Sequence, residues 1–101
     1  MLLNKGSYGS VRFFTEYAFA KMLPISLGHI ASGIDLEWGI GLTWHHEHGL
    51  SKQAFGHGAA SGAVLRIDPK HELVIVSCRN RPGHFHPEYM RRIISACVAP
   101  F

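Results

Sequence analysis

Residues 55–62, Phe-Gly-His-Gly-Ala-Ala-Ser-Gly, constrain the fold more than any other stretch of this chain. A strand accepts glycine and alanine at this density only where another backbone or a ligand must come close. One imidazole, His57, sits among backbone N–H groups that no bulky side chain shields, and that combination suits stabilisation of an anion or oxyanion. The same residues equally suit a crowded sheet packed on a helix, with His57 a hydrogen-bonded edge residue. Taken by themselves, the residues leave both readings open.

The flanking segments set the architecture. Trp38–Trp44 alternates large side chains with glycine or threonine, the period of a strand with one crowded face. Polar residues 45–53 then serve as a hairpin connection. Ala63–Ile67 resumes a strand pattern, Asp68–Glu72 is a proline turn, and Leu73–Cys78 is apolar on both faces, the pattern of a central strand. Strands joined by such short turns run antiparallel. Thr15 is an N-cap for a short helix reaching Pro24, and Leu2–Asn4 resembles the last turn of a helix ahead of the glycine-spaced turn at 5–10. Residues 24–36 read as a loop. Pro87-Glu88 opens a final helix that turns Tyr89, Met90, Ile93, Ile94, Cys97 and Val98 inward. The expected fold class is α+β: an antiparallel sheet of about three strands with a C-terminal helix packed on it. It forms one unit, with a helical and loop lead-in at 1–36, strands at 37–83 and the helix at 84–101.

Composition excludes several classes. With 101 residues there is room for one domain, and 47% hydrophobic against 17% charged residues indicates a globular core rather than disorder. The net charge of +3 is spread over scattered cations, so no phosphate-tracking surface is expected and nucleic acid is not an expected partner. No run has the length of a membrane span, and Met1-Leu2-Leu3 gives way at once to Asn4-Lys5-Gly6, so neither a signal peptide nor an anchor is expected. Cys78 and Cys97 read as small buried hydrophobes and leave the compartment undetermined.

Eight histidines stand out. In His45-His46-Glu47-His48 the residue types are metal ligands, but on an extended chain no face offers three of them; the cluster reads as a solvated hairpin tip and no metal or other cofactor is implied. His86 is a possible cap of the last helix, while His29 and His71 lie in turns without a visible partner. Trp38 reads as core packing, and Arg12 and Arg79 as edge or loop cations.

Several segments occur in a meaningful order: Met1-Leu2-Leu3-Asn4-Lys5-Gly6, Val11–Glu16, Trp38-Gly39-Ile40-Gly41-Leu42, Phe55–Ala63, Asp68-Pro69, Leu73–Val76 and Asn80-Arg81-Pro82-Gly83. The combination resembles the C-terminal part of the β-lactamase-related serine hydrolases, the superfamily of class C β-lactamases, D-alanyl-D-alanine carboxypeptidases and related esterases. The likeness runs over nearly the whole chain. In that family an S-x-x-K serine and a Tyr-x-Asn element face a Lys-Thr-Gly-like or His-Gly-Gly-like triplet on a sheet strand. His57-Gly58-Ala59 resembles that triplet, with Ala59 where the family usually has glycine. The resemblance implies that His57, Gly58 and Ala59 line the substrate and that the N–H of Ala60 is an oxyanion donor. It also implies hydrolysis of an amide, β-lactam or ester by acyl-enzyme chemistry, with an acyl substrate as partner only when the rest of the protein is present. No serine here is followed three positions later by lysine, so this chain is expected to be inactive alone and to expose apolar surface or an unpaired strand edge that permits self-association. Two other classes stay open: a non-catalytic binding module using an exposed sheet edge, and a weak histidine-rich metal-binding module.

Overall fold

The computed structural model describes residues 1–28, 30 and 37–101. The fold is α+β, with antiparallel sheets and a C-terminal helix. Two short hairpins and a helix precede the main sheet. β1 (Ser7–Tyr8) pairs with β2 (Val11–Arg12), α1 spans Glu16–Met22, and β3 (Ile25–Ser26) pairs with β4 (Glu37–Trp38). The main sheet orders β5 (Thr43–Trp44), β6 (Phe55–Gly58), β7 (Val64–Asp68) and β8 (Leu73–Ser77) side by side, every pair antiparallel. α2 covers His86–Val98.

Local chemistry accounts for most of these boundaries. Thr15 caps α1, its Oγ1 accepting from the Ala18 N–H at 3.1 Å. Residues 1–6 close with the hydrogen bonds of a helix end, Gly6 N–H to the Met1 carbonyl and Lys5 N–H to the Leu2 carbonyl, with Lys5 left-handed at φ 49°. Pro87 sits in the first turn of α2, where its missing N–H costs nothing.

The sheet departs from the sequence expectation in three ways. It has four strands rather than about three, because residues 55–68 form two strands, β6 and β7, joined by a turn; Trp38–Trp44, moreover, is not one strand, and β4 joins a different sheet from β5. Gly41 is left-handed at φ 68°, and Gly39 donates to the Leu42 carbonyl at 2.8 Å, so the chain reverses there and delivers two separate strands. Second, β8 is the edge strand and not a central one, although its sequence is apolar on both faces. Third, residues 59–62 belong to a turn: Ala59 N–H bonds the Ala63 carbonyl and Gly62 N–H the Ala59 carbonyl, both at 2.9 Å. The loop read over 24–36 contains β3, and its residues 29 and 31–36, His29 among them, lie outside the described residues.

Two separate clusters hold the sheet. On the front face, Phe55 and Ile67 are buried with Phe19 of α1 and Leu42, and Leu2, Leu3, Phe14, Met22 and Trp44 pack around them. The Phe19 and Phe55 rings lie 5.8 Å apart, tilted against each other. On the back face, Val64, Arg66, Asp68 and Ile75 are buried, and α2 lays Met90 and Ile94 against that side. α1 covers only part of the front face. Beyond it Val74, Val76 and Cys78 are exposed, so Cys78 is not the buried hydrophobe expected, and Cys97 is half-buried on α2.

Candidate functional site

The glycines of β6 are small for different reasons. A Cβ on Gly56 would collide with the Leu65 carbonyl of β7, so the neighbouring strand demands glycine there. A Cβ on Gly58 would meet nothing nearer than the Ala63 carbonyl at 4.0 Å. Packing against the described residues therefore explains Gly56 and leaves the smallness of Gly58 unexplained.

The hydrogen-bond register shows a separate opening at the same residue, along the edge of the strand. Ala59 bonds to Ala63, so the alternation of an antiparallel pair turns His57 and Phe55 toward β7 and Gly58 the other way. On that other side His45 bonds the Ala54 carbonyl and Thr43 pairs with Gly56, but β5 begins at Thr43 and the chain before it turns away at Gly41. The edge of β6 at Gly58 has no ladder partner among the described residues. The N–H of Ala60, in the following turn, likewise meets no described acceptor. His57, Gly58, Ala59 and Ala60 are all exposed, so the structure brings the four residues named from the sequence together on one open rim.

His57 projects on the front face. The ring of Trp38, at the end of β4, meets it edge-on with centroids 6.0 Å apart. Trp38 is 40% exposed, which corrects its reading as core. Its indole walls the bare region, because the reversal at Gly41 folds β4 back toward β6. A shallow depression of about 280 Å³, lined by His57, Gly58, Ala59, Leu65 and Val76, continues this surface toward the uncovered valines. The larger cavity, about 450 Å³, lies on the opposite face between α2 and the hairpin tip, floored by Val64, Met90 and Ile94.

The other polar clusters are structural ties. Arg66 is buried and fully engaged: Nε and Nη2 grip Glu47 Oε1 at 2.8 and 2.6 Å, and Nη1 donates to the His57 and Leu65 carbonyls. Burial opposes ionisation of Glu47, but the hydrogen bonds from His45 and Arg66 outweigh it and hold the carboxyl at about 2. Glu47 thus anchors the hairpin tip to β7, and the tip is not freely solvated. Among the described residues no group of three or more His, Cys, Asp or Glu side chains gathers as a metal site.

Asp68, only 1% exposed, accepts from the Ser51 N–H at 2.7 Å, the Ser51 hydroxyl at 2.6 Å and His71 Nδ1 at 2.8 Å. Burial raises the tendency of its carboxyl to hold a proton, yet these donors win and lower it below the ordinary value of 3.8. His71, read as unpartnered, is fixed by Asp68 and by the Phe101 ring at 5.3 Å. His86 is the first residue of α2 rather than its cap, which is Phe85. Arg79, read as a loop cation, stacks on Tyr89 at 4.3 Å.

No protein-family model and no curated protein matches this chain.

Proposed function

We propose that the chain is the C-terminal portion of a β-lactamase-related serine hydrolase, and that His57–Ala60 is the substrate-facing rim of its acyl-transfer site. The observation that carries the reading is the open edge of β6 at Gly58, whose outward backbone groups meet no ladder partner among the described residues. An acyl group laid along that edge finds backbone hydrogen-bonding groups at Gly58 and Ala60. An oxyanion needs donors of this kind, fixed before charge develops. His57 polarises the substrate beside them, and Trp38 offers it an aromatic wall.

Acyl transfer also needs a nucleophile and its base, and this chain has no S-x-x-K. The isolated chain should give no turnover of aryl esters or chromogenic β-lactams. Turnover that a serine-directed covalent inhibitor abolishes would show that a nucleophile is present after all and overturn this assignment of parts. An upstream coding sequence without an in-frame S-x-x-K and Tyr-x-Asn would remove the family reading itself.

A further inference from the structure

We infer that Arg66, aimed by Glu47, is the positioning residue of the rim: its guanidinium fixes and polarises the peptide unit joining His57 to Gly58, and makes the open Gly58 N–H a stronger donor than an ordinary amide. This rests on the acyl-binding role proposed for the rim. Two peptides receive a hydrogen bond from Arg66 Nη1, through the His57 carbonyl at 3.1 Å and the Leu65 carbonyl at 3.0 Å. In a planar trans peptide the N–H lies opposite the C=O. Across from the Leu65 carbonyl is the Arg66 N–H, which the ladder to Ile75 of β8 occupies. Across from the His57 carbonyl is the Gly58 N–H, which leaves β6 on the side away from β7 and has no ladder partner among the described residues. One cation and one free donor thus sit at opposite ends of a single amide dipole.

That placement has an electrostatic consequence. A charge-assisted hydrogen bond at a carbonyl draws electron density through the amide, so the N–H across it becomes more acidic and donates more strongly. An oxyanion held at such an N–H gains from the same field, which is in place before the charge develops. The ion pair is oriented for this. The Arg66 side chain is 10% exposed, and Glu47 Oε1 takes its Nε and Nη2 at 2.8 and 2.6 Å, which leaves Nη1 to the carbonyls. The positive end of the pair therefore faces the rim and the negative end the hairpin tip. A tie that served only to hold the tip would need the Nε and Nη2 contacts alone.

The test is hydrogen exchange at the Gly58 amide of the purified chain, read by NMR at one fixed pH where hydroxide catalyses exchange. Exchange of an open amide passes through the peptide anion, so its rate follows the acidity of the N–H and requires no turnover. Arg66→Met, which removes the cation and keeps much of the volume, should slow Gly58 exchange by about threefold. Glu47→Gln, which leaves the guanidinium charge uncompensated, should quicken it by about twofold. Loosening of the strand would quicken exchange in both variants, so the opposite signs separate polarisation from a merely structural tie. An unchanged or faster Gly58 amide in Arg66→Met, an unchanged or slower one in Glu47→Gln, or a wild-type Gly58 amide protected like those of the ladder would each overturn the inference. Where Arg66→Met does not fold, Glu47→Gln decides alone. The family reading fails separately, through an upstream sequence without S-x-x-K and Tyr-x-Asn, and that result would leave a polarised Gly58 donor with no acyl substrate.

Discussion

The contrast between Gly56 and Gly58 is the clearest residue-level statement the molecule makes. One glycine is required by the adjacent Leu65 carbonyl and the other by nothing in the described chain. Gly56→Ala should therefore destabilise the fold by about 2 kcal/mol through overpacking against β7. Gly58→Ala should change stability by no more than about 0.5 kcal/mol, since the added methyl enters open space. Chemical denaturation of the two variants checks the pair, and equal costs would mean that the rim at Gly58 is packed after all. The sequence already marked this stretch as a place of close approach, and His57 as its lone imidazole. It did not separate the two glycines, because what a Cβ at each would meet depends on a pairing of β6 with β7 between residues 6 to 12 positions apart. Trp38 was missed as part of the rim for a related reason: a tryptophan followed by alternating glycines has the same pattern whether the chain continues straight or turns.

Among the elements, the hairpin connection between β5 and β6 and the turn between β7 and β8 are joined by a single carboxylate. Asp68 takes three hydrogen bonds from Ser51 and His71 and a fourth from the Lys70 N–H at 3.1 Å. Because the folded protein lowers this carboxyl below its ordinary 3.8, its contribution is complete above that value and is lost as pH falls through the folded-state value. Asp68→Asn should cost about 2 kcal/mol at neutral pH. The deficit should shrink as the pH drops below 3.8, where the unfolded chain takes up the proton before the native carboxyl does, and level off once the pH is below the lowered folded-state value. Denaturation of both proteins across that range measures it; a deficit constant with pH would mean the charge is not what holds the two connections. The sequence announced Asp68-Pro69 as a turn and gave no sign of Ser51 as its partner. The turn itself is local chemistry, whereas the clamp exists only once the sheet brings the two connections to one end.

At the scale of the whole molecule, the four-stranded sheet separates two clusters, Phe19 with Phe55 and Ile67 in front and Met90 with Ile94 behind. Phe19→Ala and Ile94→Ala should each cost about 3 kcal/mol, and the double variant should equal their sum to within about 0.5 kcal/mol, since the mutated side chains share no partner. A double-mutant cycle with larger coupling would mean that the two layers communicate through the sheet. Alternation, caps and turn residues determined that this chain is an α+β unit with antiparallel strands, a capped N-terminal helix and an amphipathic C-terminal one, because periods of 2 and 3.6 and the chemistry of helix ends act over a few residues. Strand count and order, the exposed edge of β8 and the gap beside Gly58 were decided by tertiary structure. Leu73–Ser77 has the composition of a strand covered on both faces, but composition states only what a strand can bury. Which neighbours arrive to bury it depends on the path of the rest of the chain, and in this fold none of the described segments pairs with its outer edge.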